Sequence, residues 1–99
     1  MDELRFEWDE NKNIINQKKH EGVTFEEAET VFTDIHARLI SDPEHSEGEE
    51  RFILMGISSK FKVLLVCHCE RNNGNTIRII SAQKADRSER KQYEDFYYE

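Results

Sequence analysis

The 99-residue sequence is poor in residues that break or staple a chain: one proline, four glycines and two cysteines. It has no repeat, linker or low-complexity tract, so residues 1–99 are expected to form one small domain. Long apolar runs are absent too. The longest, Val63 to Cys67, falls far short of the ~20 residues that cross a bilayer, so no membrane association is expected. Met1 to Arg5 is acidic and polar with no apolar stretch behind it, so no secretory leader is expected and the expected location is the cytoplasm. Cys67 and Cys69 lie two apart in a predicted strand, a spacing that does not suit a disulfide, so both should be reduced thiols. A structural zinc site needs four converging ligands, and "CHC" inside a strand offers one pair with His68 on the other face. Core packing is expected there, with no metal and no cofactor.

Positive charge is also scarce. Fourteen Lys and Arg stand against 21 Asp and Glu, for a net charge of −7, which taken alone argues against nucleic acid. The charge is unevenly spread, however: residues 1–50 carry a net −10 and residues 51–99 a net +3. A phosphate responds to the local field of its site rather than to the total. The acidic half is read first as a solvated face, with Glu26, Glu27 and Glu29 outward on "FEEAETVFTD". A second reading makes it a dock for a basic segment of a partner, with charge raising the on-rate.

The elements can be read in order. Leu4, Phe6 and Trp8 alternate with Arg5 and Glu7 as a first strand. Asp9 is a good N-cap for a helix anchored by Ile14 and Ile15 and stopped at Gly22. Thr24 with Glu27 three residues later forms a capping box for a second helix, whose apolar face is Phe25, Ala28, Val31 and Phe32. "ARLIS" is the second strand, and "DPEHSEGEE", with the only proline, is a loop. "RFILMGISS", "FKVLLVCHCE" and "TIRIISA" are strands, the last two joined by a turn at Asn73-Gly74. From about Lys84 the chain is helical, with Tyr93, Phe96 and Tyr97 on one face. The order β-α-α-β-β-β-β-α, or one strand fewer, makes a two-layer α+β fold: a mostly antiparallel sheet packed with helices.

The stretch "IRIISAQKADRSERKQY" gathers cations where a strand gives way to a helix. Plain alternation puts Ile77, Ile79 and Ser81 on one face and Arg78, Ile80 and Ala82 on the other. A helix beginning near Lys84 would aim its first amides toward Ser81, and with Arg78, Lys84 and Arg87 they would favour a phosphate. The bland alternative is an arginine paired with a carboxylate and a wet helix face, and patterning alone prefers it.

Four stretches change that balance: "FEWDENKNIINQKKH", "GVTFEEAETVF", "DPEHSEGEERFILMGIS" and "IRIISAQKADRSERKQY". In order and spacing they resemble the BrnT toxins of BrnT/BrnA type II toxin–antitoxin pairs. The resemblance implies a RelE-like fold and a ribonuclease that cuts RNA without a metal, inhibiting translation and growth. It also implies a small BrnA-like antitoxin of ribbon-helix-helix type, with operator DNA bound only through the complex. Where the family usually reads "ISAR", this chain has Gln83, one cation fewer.

Metal-free cleavage uses the RNA's own 2′-hydroxyl as nucleophile. It needs a base, an acid and cations around the phosphorane. Arg51 and Arg78 are the expected phosphate binders, Lys19 and His20 the sources of charge and proton transfer, and Glu50 a base or the orienting partner of an arginine. Ser81 would position the phosphate. Lys84 and Arg87 would contact RNA. Each has a plainer reading: a helix-end dipole partner for His20, a surface ion pair for Glu50 and Arg51, packing for Tyr93 rather than stacking on a base. His45 and Ser46 are weaker candidates in a turn-like loop. Two other functions stand beside the nuclease. One is a catalytically weakened antitoxin-binding module acting in operon autoregulation. The other is a DNA-binding regulator, disfavoured because no basic recognition helix is present.

Overall fold

In a computed structural model that describes residues 4–41 and 50–97, five strands form one sheet in the order β1-β5-β4-β3-β2. The strands are β1 (Arg5–Glu7), β2 (Arg38–Ser41), β3 (Arg51–Ile57), β4 (Val63–Arg71) and β5 (Thr76–Lys84). Only β1 runs parallel to its neighbour, β5; the other pairs are antiparallel. The helices are α1 (Glu10–Lys19), α2 (Phe25–Thr30), which tightens into a 3₁₀ turn over Val31–Thr33, and α3 (Arg87–Tyr97). This is the α+β order expected from the sequence.

Local chemistry sets the boundaries. The Asp9 carboxylate accepts the Asn11 N–H, and the Thr24 hydroxyl accepts the Glu27 N–H at 3.0 Å, each replacing a bond that a first helical turn lacks. The β4–β5 turn holds Asn72, Asn73 and Gly74 at φ +54°, +57° and +85°, a left-handed region that asparagine and glycine enter at least cost.

One face of the sheet carries the core. Val23, Phe25, Ala28 and Val31 pack on Leu54, Leu64, Val66, Ile77, Ile79 and Ala82. His68 belongs to this face: it is 1% exposed, its ring stacks edge-on against Phe32 at 4.9 Å, and its Nδ1 bonds the Val66 carbonyl. Burial lowers the His68 pKa, outweighing the carbonyl bond and the Glu70 charge. Gly56 lets the 3₁₀ turn approach: a Cβ there would stand 2.9 Å from both Ala37 Cβ and Val31 Cγ1.

Two expectations fail on the helices. Ile14 and Ile15 do not anchor α1; they are 47% and 53% exposed, while Asn13 and Asn16 are buried. The reason is hydrogen bonding. β1 pairs only with residues 76–78 of β5. Beyond it, the Asn16 amide bonds both the N–H and the C=O of Ala82, and also the Val23 carbonyl. Asn13 accepts the Phe25 N–H and donates to Glu26. Glu27, expected outward, is 5% exposed and accepts the Ser58 hydroxyl at 2.6 Å.

Candidate functional site

The face opposite the core cluster is built of cross-strand rows. Register places Glu7 beside Arg78, Arg78 beside Cys69, and Cys69 beside Arg51. The next row is Ser81, Cys67, Ile53 and Ile40, and a third is Gln83, Leu65, Met55 and Arg38. Helix α3 crosses the third row at its far end: the Arg38 guanidinium lies 5.3 Å from the Phe96 ring centroid. Met55 and Tyr93 are buried outside the main core cluster.

Plain alternation misplaces Ser81. Cys67 pairs with Ser81 while the next residue, His68, pairs with Ile79, so Ile80 is an extra residue in β5. Such a bulge re-phases the strand after it. Ser81 therefore moves to the face of Arg78, and Ala82 to the core. Ser81, Ile80 and Gln83 line a depression of about 210 Å³ together with Arg51, Ile53, Leu65 and Cys67.

Arg78 donates to Glu7 Oε2 at 2.9 Å, and the same oxygen lies 3.9 Å from Arg71 Nε. The pairing foreseen in the plainer reading of Arg78 is therefore present. The carboxylate also fixes a guanidinium that keeps further N–H donors. Sequence reading missed Glu7 and Arg71. Glu7 looked like the polar half of an alternating strand, and only the parallel β1–β5 pairing brings it to Arg78.

The helix-dipole site is not assembled as expected. β5 runs to Lys84 and α3 begins at Arg87. The α3 N-terminus is closed by a reciprocal pair: Asp86 accepts the Glu89 N–H and Glu89 accepts the Asp86 N–H, both at 2.8 Å. A carboxylate thus holds the place proposed for phosphate. Arg87 is the exposed first residue of this helix. Lys84 turns away from Ser81 and pairs with Glu21 at 3.2 Å. Lys19 and His20 end α1 beside that pair, apart from the Arg51–Arg78 row. Glu50 is exposed and immediately precedes β3. His45 and Ser46 lie outside the described residues.

Tyr93 is 4% exposed and not placed to stack on a base. Its hydroxyl donates to Asp34 Oδ2 at 2.6 Å, and the same carboxylate accepts the Ile57 and His36 N–H groups. Burial works to raise the Asp34 carboxyl, but these bonds outweigh it and hold it below its ordinary value. Burial first, then the bond and charge of Asp34, push the Tyr93 hydroxyl up.

Among the described residues, no group of three or more His, Cys, Asp or Glu side chains could hold a metal ion, and no helix is long and apolar enough to cross a membrane. Among curated proteins, none matches the sequence. The fold is similar to that of the Brucella abortus ribonuclease toxin BrnT, with a TM-score of 0.65 and 19% identity over 85% of this chain and 99% of that one. Residues 8–89 match the family described as "Ribonuclease toxin, BrnT, of type II toxin-antitoxin system". That span takes in α1, α2, all of the sheet beyond β1 and the start of α3. The chain belongs to the BrnT family of ribonuclease toxins of type II toxin–antitoxin systems.

Proposed function

We propose that this protein is a metal-independent endoribonuclease that acts in the cytoplasm and cuts RNA through attack of the 2′-hydroxyl on the adjacent phosphate. The observation that carries the reading is the row Glu7–Arg78–Cys69–Arg51 beside the Ser81 depression. Two guanidinium groups flank one strand there, on the face opposite the core cluster. Arg78, steadied by Glu7, binds the scissile phosphate and neutralises the charge that grows on it. Arg51 holds a second phosphate oxygen, and the Ser81 hydroxyl positions the group from the depression. Because Glu7 already orients Arg78, Glu50 next to Arg51 takes the 2′-hydroxyl proton as that oxygen bonds to phosphorus; the bond to the 5′ oxygen breaks, a 2′,3′-cyclic phosphate forms, and the leaving oxygen takes a proton from water. Lys19 and His20 are reached by RNA that continues past the end of β5. The partner is an antitoxin of ribbon-helix-helix type, and operator DNA is bound through the complex.

The test uses protein free of its partner and RNA free of ribosomes, with and without EDTA. Cleavage should survive EDTA and be lost in Arg78→Ala. A folded Arg78→Ala protein that cuts at the parental rate would remove the core of the scheme. Gln83 favours a second reading, a weakened nuclease that serves mainly to hold its antitoxin. It lines the depression where the family's arginine would add a cation. In that case the purified protein binds its partner normally and cuts RNA only after Gln83→Arg.

A further inference from the structure

A second concavity, of about 770 Å³, opens past the end of β5. Its walls are Arg90 and Tyr93 from α3, Lys84 from β5, and Phe61 and Lys62 from the β3–β4 turn. Phe61 is the unusual residue. The residue is 85% exposed, and its backbone sits at φ +59°, where an L-residue with a large side chain is strained. Glycine or asparagine would make the same turn more easily. Burial within this chain offsets neither the strain nor the exposure.

The turn is firmly held. Ser58 is 4% exposed, its hydroxyl donates to Glu27, and its N–H bonds the Lys62 carbonyl at 2.8 Å. The Phe61 N–H returns to the Ser58 carbonyl, and the Ser59 N–H bonds the Thr30 hydroxyl. The ring is therefore presented on a preorganised support, where a ligand that stacks on it orders little that is not ordered already.

The charge around the ring indicates the ligand. In a protein of net −7, this groove is lined by Lys62, Lys84 and Arg90. Among the described residues no carboxylate pairs with Lys62 or Arg90. Of the two acidic lining residues, Asp34 is committed to Tyr93, Ile57 and His36, which leaves Glu94. An exposed aromatic ring amid cations is the pattern that binds single-stranded nucleic acid, with bases on the ring and phosphates on the cations. The groove and the depression both lie at the end of β5, where Gln83 lines the depression and its chain neighbour Lys84, facing the other way, lines the groove.

We propose that the groove is a subsite for single-stranded RNA flanking the cleavage position, with Phe61 stacked on a base and Lys62 and Arg90 holding backbone phosphates. This rests on the ribonuclease reading for its purpose, but its binding can be tested without cleavage. The probe is a short fluorescein-labelled single-stranded RNA with 2′-O-methyl groups throughout, which removes the nucleophile. Anisotropy titrations compare the parent with Phe61→Ala, Phe61→Tyr and the Lys62→Ala/Arg90→Ala pair, each first shown to be folded by circular dichroism. Loss of one stacked base should weaken binding roughly 5- to 150-fold in Phe61→Ala, and Phe61→Tyr should restore it. The double variant should lower the slope of log K against log salt by about 0.7 for each phosphate that is no longer neutralised. In cleavage assays Phe61→Ala should raise KM and leave kcat unchanged. If the parent binds the probe and cuts nothing, and Phe61→Ala fails to bind the probe, the ribonuclease reading fails and the subsite stands. If Phe61→Ala binds the probe as the parent does, the subsite is refuted, and a weaker antitoxin affinity in that variant would assign the groove to the protein partner. A parent that does not bind the probe refutes it as well.

Discussion

Replacing Asn16 with alanine should cost far more stability than replacing its apolar neighbour Ile15. The Asn16 side chain is 4% exposed and makes three hydrogen bonds, to the Val23 carbonyl and to both backbone groups of Ala82, at 2.8 to 3.0 Å. Each such bond contributes about 1 kcal/mol net, and a buried backbone group left without a partner costs about 1–3 kcal/mol. With partial relaxation, Asn16→Ala should lose about 3–5 kcal/mol, a large share of the ~5–15 kcal/mol that holds a small domain folded. Ile15 is 53% exposed. A fully buried isoleucine truncated to alanine loses about 2–5 kcal/mol, and one half in water should lose about 1 kcal/mol or less. Urea unfolding followed by circular dichroism measures both, with the slope m checked for constancy so that a midpoint shift can be read as stability. The reasoning is refuted if Asn16→Ala loses less than Ile15→Ala, because α1 would then be held by its apolar side chains rather than by amide bonds to the strand edge.

Three further outcomes follow from other parts of the molecule. His68 is neutral and buried, and its folded pKa lies below the ordinary 6.5. The unfolded chain therefore binds the extra proton first, so stability is full above pH 6.5 and falls as the pH drops from there toward the lowered folded value. Thermal midpoints measured across that range should fall in the parent and stay flatter in His68→Phe. Tyr93→Phe removes a hydroxyl bond to the Asp34 carboxylate and should lose about 1.5–3 kcal/mol near neutral pH. The folded Asp34 pKa lies below the ordinary 3.8, so its contribution is present above that pH and lost as the pH falls through the lowered value. Urea unfolding of parent and Tyr93→Phe should accordingly converge in strong acid. Gln83→Arg adds a cation to the Ser81 depression, and RNA titrations at several salt concentrations should show a slope steeper by about 0.7.

Much of the fold is written locally. The caps at Asp9 and Thr24, the Asn73-Gly74 turn and the Phe25–Ala28–Val31 stripe each depend on residues a few positions apart, so short-range chemistry reveals them. The face of α1 did not read correctly, because two adjacent isoleucines mark no direction on a helix. The buried pair Asn13 and Asn16 are polar and gain their burial from strand and loop backbone far away in sequence. The start of α3 is hidden in the sequence for a related reason. Lys84 and Ala85 suit a helix, but the antiparallel partner at Leu64 keeps β5 extended to Lys84, and the Ala85 N–H bonds the Val63 carbonyl.

The sequence by itself determined the order of elements, which rests on local patterning, and its motifs carry the family resemblance that points to Arg51, Arg78 and Ser81 as candidates. Only the tertiary structure decided which of them share a face. The Ile80 bulge turned Ser81 toward Arg78, the parallel β1 brought Glu7 onto Arg78, and the Asp86–Glu89 pair closed the helix end that had been expected to hold phosphate. The physical reason is that register and bulges arise between strands, where one extra residue exchanges the two faces of everything after it.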